Sequence, residues 1–271
     1  MSRLTSYAGK SALVTGASSG MGRLLALRFA RAGARVALVA RREGELRHLA
    51  AAIEAQGGTA LVLPCDVAER DQVFAAAERA FAQFGAIDIL VNNAGYGHHR
   101  RFLEWDLDDM ERMLRVNFLG TLYWTKAVLP QMVERRAGWI VFMASVAGKL
   151  GVPEESAYAA TKFAQVGLAE ALSIEVEDAG VHVLTVCPGT INTPFFDAEA
   201  LERMPPVAKR MMIEPERVID AIMNALARGK HEITVPRFIA MGYIVRLLAP
   251  EFMRRNTKRT TIGAGAKHPK P

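Results

Sequence analysis

Short apolar runs alternate with helix-patterned stretches along most of this chain, and that alternation leaves few folds open. Apolar runs cover 10–15, 35–40, 59–64, 87–91, 138–144 and 181–187. Between them lie a first helix ending at Gly33 and helices predicted over 43–56, 69–84, 107–130 and 155–178. Strands joined by single helices imply a parallel sheet covered on both faces. The expectation is therefore α/β: a doubly wound, Rossmann-like parallel sheet in a single domain. With 271 residues, 51% of them hydrophobic, the chain can bury the core that such a domain needs.

Ligands of open parallel sheets bind beyond the carboxyl ends of the strands. Here those ends carry Gly16-Ala-Ser-Ser-Gly20-Met-Gly22, Asp66, Asn92-Asn-Ala-Gly95, Ser145 and Pro188-Gly189. The glycine turn lies between the first strand and the first helix. Glycines let the backbone approach a phosphate, and the helix N-terminus offers unpaired N–H groups to it. The G-x-x-x-G-x-G spacing differs from the commoner G-x-G-x-x-G. The second strand closes on Ala40, followed by Arg41 and Arg42. An acid there would bind the ribose hydroxyls of NAD, whereas arginine accommodates the 2′-phosphate of NADP. The expectation is NADP, although two arginines also suit a solvated helix start.

Tyr158 and Lys162 lie four apart on the predicted 155–178 helix, hence on one face. Such pairs also occur as core and snorkelling surface groups. The functional reading is that the ammonium lowers the phenol's pKa towards neutral, so that Tyr158 exchanges a proton with a substrate oxygen. Ser145, at the end of an apolar run, could hold the same oxygen. Ala159, Phe163, Val166, Leu168, Leu172 and Ile174 are expected to form the buried face of this helix.

Thr15-Gly16-Ala-Ser-Ser-Gly20-Met-Gly22, Asn92–Gly95, Asn117, Ser145, Tyr158-x-x-x-Lys162 and Pro188-Gly189 together resemble the motif set of the short-chain dehydrogenase/reductase family. The resemblance covers residues 8 to about 195. It implies that Tyr158 is the general acid in reduction and that Ser145 orients the substrate oxygen. It also implies that Lys162 tunes Tyr158 and binds the nicotinamide ribose, and that Asn117 holds a water linking Lys162 to solvent. Gly16, Ser18, Gly20 and Met21 would surround the pyrophosphate or adenosine ribose. Asp66 and Val67 would flank the adenine, with Asn93, Ala94 and Gly95 on the adenosine side. Ser19, Arg41, Arg42, Pro188, Gly189, Ile191 and Thr193 complete the expected cofactor set. Ser19 stands where many NADP-preferring members carry a second basic residue, so NAD stays an alternative. The implied activity is NADPH-dependent reduction of a ketone or aldehyde, the rival being NAD-linked oxidation of a secondary alcohol. A dinucleotide-binding regulatory or scaffold protein without turnover is the reading from another class. The presence of Ser145, Tyr158 and Lys162 argues against it.

The remaining chain divides into expectations of lesser weight. Phe195, Phe196, Met204, Met211 and Met212 suit an apolar lid at about 190–213. Residues 237–255 form an apolar or amphipathic segment after a catalytic domain of 1–236. In it Phe238, Met241, Val245 and Leu248 make a stripe that fits a membrane surface or another subunit of a homo-oligomer. From Arg246 onward seven Lys/Arg face one acid, which accounts for the whole net charge of +6. The body is thus not a basic nucleic-acid scaffold, and residues 256–271 are expected to be a disordered basic tail. His98 and His99 suit a loop at the substrate mouth. No metal-ligand spacing is seen, and the partner expected is a small-molecule substrate. Cys65 and Cys187, after strand-like runs, indicate buried thiols in a reducing, cytoplasmic setting. No apolar leader and no stretch of about 20 apolar residues is visible.

Overall fold

The computed structural model describes residues 3–195, 201–202, 204 and 206–262. Among these residues, seven parallel strands form one sheet. They are β1 (Ser11–Thr15), β2 (Arg35–Ala40), β3 (Thr59–Pro64), β4 (Ile89–Asn92), β5 (Gly138–Met143), β6 (Val181–Pro188) and β7 (Glu232–Val235), in the spatial order β3-β2-β1-β4-β5-β6-β7. Strands β1, β4, β5 and β6 are buried at every position, as expected of a sheet covered on both faces.

Helices α1 (Gly20–Arg31), α2 (Glu43–Glu54), α3 (Arg70–Phe84), α4 (Leu107–Leu114), α5 (Gly120–Glu134), α6 (Ser156–Glu175) and α7 (Pro215–Arg228) cover the sheet. One core joins Leu25 and Phe29 of α1, Leu46 and Leu49 of α2, and Val218 and Ile222 of α7 to the sheet. The other joins Val73 of α3, Trp124 and Val128 of α5, and Leu172 of α6. Each such side chain contributes about 1.5–3 kcal/mol on burial. The order of strands reverses between β1 and β4, so the crevice of the fold opens there.

Two helical expectations are revised. The stretch predicted as one helix over 107–130 is broken into α4, a π-helical turn at Arg115–Leu119, and α5, which extends to Glu134. A π turn cannot be told from α by apolar periodicity. The buried face of α6 also differs, because Phe163 and Ile174 are exposed. Thr161, Lys162 and Gln165 are buried beside Ala159, Val166, Ala169 and Leu172.

Beyond β7, α8 (Ala240–Leu248) and α9 (Pro250–Thr257) lie against the domain through Tyr243, whose hydroxyl is 3.3 Å from Thr234 Oγ1, and through Arg246, which donates to the Lys149 carbonyl. Phe238, Met241, Ile244, Leu247, Leu248 and Phe252 remain exposed, whereas Val245 is half-buried. A further helical turn runs from Lys258 to Ile262, where composition alone suggests a tail without structure. Residues 263–271 lie outside the described residues. No helix among the described residues is long and apolar enough to cross a membrane.

Candidate active site

A cleft of about 540 Å³ runs over the carboxyl ends of the strands. Every site residue expected from sequence lines it except Asn117. The glycine turn, Arg41, Arg42, Asp66 and Val67 form one end and Ser145, Tyr158 and Lys162 the other, with Asn93–Gly95 between; Pro188 and Gly189 follow at the end of β6, next to β5 in the sheet, and Thr193 comes back towards Gly20.

Close packing dictates the glycines. Gly16 has φ +68°, and a Cβ there would lie 2.8 Å from Asn93 Nδ2 and 2.9 Å from Ala94 Cα. At Gly22 a Cβ would lie 2.6 Å from the same Nδ2. Asn93 is a latch in this structure: Nδ2 donates to the Thr15 carbonyl at 2.9 Å, while Thr15 Oγ1 accepts from the amides of Asn93 and Ala94. The loops after β1 and β4 are thereby pinned together beneath the cleft.

The start of α1 suits an anion. Its first turn holds no acid, and the Ser19 side chain makes no capping bond to it. Ser18 Oγ and Ser19 Oγ each accept from Arg42 Nη2 at 3.0 Å. A guanidinium from the end of β2 thus reaches the position where the glycine turn itself lacks a basic residue. Asp66 is ion-paired with Arg112 of α4, a partner the sequence did not signal.

At the other end, Ser145 Oγ accepts from the Ala147 amide at 3.1 Å and is hydrogen-bonded with Tyr158. Tyr158 is half-buried and lines the cleft. Burial, with the nearby Glu155 carboxylate, pushes the phenol above its ordinary value, against the opposing hydrogen bond from Ser145. This corrects the expectation of a phenol brought to neutrality by Lys162. Lys162 Nζ lies 5.6 Å from the Tyr158 ring centroid and donates instead to the Met143 carbonyl at 2.7 Å and Gln165 Oε1 at 2.9 Å. Burial lowers Lys162 to about 7. The i, i+4 spacing brings the two side chains onto one face, but desolvation is the leading cause of the shift at each.

Asn117 lies behind Lys162, on the π turn, with no exposed surface. Its side chain bonds Tyr96 twice, accepting from N at 3.0 Å and donating to O at 2.8 Å, and also donates to Thr161 Oγ1 at 3.1 Å. Its main-chain oxygen accepts from Gln165 Nε2 at 2.7 Å and Thr121 Oγ1 at 3.0 Å. Residues overlooked in the sequence gather here. Gln165 had one signal, a polar residue one turn beyond Lys162 and set between Ala164 and Val166.

The substrate end is walled by Val152, Pro153, Phe195 and Met204. Phe195 meets the Tyr158 ring edge-on with centroids 5.8 Å apart. Met211 is exposed, and Phe196 lies outside the described residues. His99 lines the mouth with Nε2 3.0 Å from Glu155 Oε1, whereas His98 packs on Tyr96 and Trp105.

Residues 10–203 match the family model described as short chain dehydrogenase, and the chain belongs to the short-chain dehydrogenase/reductase family. Oxidoreductase UcpA of Salmonella typhimurium is 38% identical, over 83% of this chain and 82% of its own. Estradiol 17-beta-dehydrogenase 11 of Mus musculus is 33% identical, over 91% and 82%. Among solved structures, a metagenomic short-chain oxidoreductase in complex with NADP has a TM-score of 0.74 and 29% identity over 85% of this chain and 97% of its own. A Burkholderia phymatum short-chain dehydrogenase/reductase in complex with NAD reaches 0.83 and 26%, over 99% and 100%. The protein is therefore an NAD(P)-dependent oxidoreductase. The glycine cradle, the uncapped start of α1 and the continuous cleft fit a dinucleotide.

Proposed function

We propose that the protein reduces an apolar ketone or aldehyde with NADPH. The observation that carries the reading is a tyrosine hydroxyl held by Ser145 at the floor of an apolar-walled cleft, with a buried lysine one helical turn away. When bound, the reduced nicotinamide supplies the hydride.

Ser145 and Tyr158 converge on the substrate oxygen, so that the carbonyl is polarised by two hydroxyls. Tyr158 gives up its proton as negative charge develops on that oxygen, which the Ser145 hydroxyl continues to hold. Burial keeps the phenol protonated at neutral pH, which suits an acid waiting for a carbonyl. Lys162, beside it, offers an ammonium to the ribose and to the phenolate.

The two arginines after Ala40 support NADPH, because a guanidinium bonds a phosphate with charge on both partners. Val152, Pro153, Phe195 and Met204 support an apolar substrate, as does the steroid in the mouse relative's name. The exposed apolar residues of α8 and α9, together with exposed Arg237, Arg246, Arg254 and Arg255, support contact with an anionic membrane surface. Sedimentation with anionic vesicles at low and high salt tests that contact, and protein left in the supernatant at low salt counts against it. The reaction is tested with apolar ketones and aldehydes, offered with NADPH and with NADH while the absorbance of the reduced nicotinamide is followed. Turnover faster with NADPH is expected; a preference for NADH, or no turnover with any carbonyl, overturns the reading.

A further inference from the structure

Behind the Tyr158–Lys162 face, α6 turns one more polar side chain inward. Gln165 has no exposed surface and uses both ends of its amide. Nε2 donates to the Asn117 carbonyl at 2.7 Å and to Thr121 Oγ1 at 2.8 Å. Thr121 Oγ1 spends its own proton on the same carbonyl, so it can only accept from Gln165. Two acceptors on one side oblige the amide to face Nε2 towards them and Oε1 towards Lys162 Nζ, 2.9 Å away. The ammonium is then suspended between Oε1 on α6 and the Met143 carbonyl on β5. The chain continues away from the site, since Thr125 Oγ1 donates to the Thr121 carbonyl and accepts from Asn92 Nδ2.

We propose that Gln165 is a positioning residue for the reduction: its amide sets where Lys162 Nζ sits, and it occupies the Asn117 carbonyl with a group that relays no proton. An amide donates at one end and accepts at the other, but passes a proton through only as its high-energy imidic tautomer. This rests on the proposed roles of Tyr158 and Lys162.

The titratable groups facing Lys162 are Tyr158 on its own helix and Cys187 on β6. Glu155 acts on Tyr158. Among the described residues, Gly95, Met143, Gly148 and Asn117 approach from the other packed elements and carry no charge. A new charge at position 165 is thus read mainly by Lys162.

The test follows Lys162 directly, in the full chain without cofactor, by NMR of ε-¹³C-labelled lysines, the signal being assigned with Lys162→Met. The wild type is expected to titrate near the lowered value of about 7. Gln165→Glu places a carboxylate at the same reach and should raise the proton affinity of Lys162 by about tenfold or more. Gln165→Met keeps the length, removes the acceptor and should lower it; this variant decides the matter if Gln165→Glu does not fold. The pH profile of kcat should move in the same direction as the NMR midpoint in each folded variant. Midpoints unchanged from wild type in the folded variants overturn the inference. A wild type that reduces no carbonyl overturns the proposed reaction instead, and the NMR midpoints still decide whether Gln165 holds Lys162.

Discussion

The two ends of the cleft use charge in opposite ways. At one end Arg41 and Arg42 are exposed, and Arg42 is anchored by the hydroxyls of Ser18 and Ser19. At the other, Lys162 is buried and bonded to a carbonyl and an amide. Exposed charges are screened by salt and exchanged at small cost, so that end is built for selecting a ligand. A buried charge costs much to maintain and shifts its own titration, so that end is built for chemistry. On the proposed reading, recognition and reaction are thereby separated along one groove.

The largest expected break in that comparison is at the reactive end. Tyr158→Phe keeps the ring against Phe195 and removes the hydroxyl. kcat should fall by about 10²–10⁴, while NADPH affinity, followed by nucleotide fluorescence, stays within a few-fold. A variant with near-normal kcat would remove Tyr158 from the chemistry.

A smaller effect is expected at the selecting end. Ala40→Asp combined with Arg41→Ser should weaken NADPH binding by about tenfold or more, the value of one charge-assisted bond discounted for exposure. NADH binding should be spared, and added salt should erase most of the wild-type preference while leaving kcat unchanged. Equal losses for both nucleotides would mean that Arg41 shapes the loop and does not read the phosphate.

The smallest effect is on stability, and its sign follows from burial. Lys162 is held near 7 in the folded protein against 10.5 when unfolded, so between those values the unfolded chain binds more protons and stability rises with pH. Cys65 and Cys187, pushed from 9.0 up to about 12, act in the reverse sense above about pH 9. Between pH 7 and 9, unfolding free energy should therefore rise by at most about 1.4 kcal/mol per unit. Lys162→Met should flatten that rise in denaturant titrations. An unchanged slope would mean that Lys162 titrates normally, and the contrast between the two ends would be lost.

Much of this was legible before any coordinates. Strand–helix alternation, the glycine turn and the polar residues at strand ends are local patterns, and a parallel sheet necessarily gathers its strand ends along one edge. That is why residues as distant as Gly16 and Gly189 could be assigned to one cleft from sequence.

What the tertiary structure alone decided is the environment of those groups. Desolvation is the sum of everything packed around a side chain, and most of it comes from distant elements. Tyr158 and Lys162 stand four apart in any helix. Only the closure of β5, β6 and the π turn around them makes the phenol a weaker acid and the lysine a weaker base. The reach of Arg42 to Ser18 and Ser19 bridges 24 and 23 residues, and the bond of Gln165 to Asn117 bridges 48. Contacts at such separations are selected by packing, because the sequence pattern that builds each helix carries no information on which buried amide will meet which carbonyl.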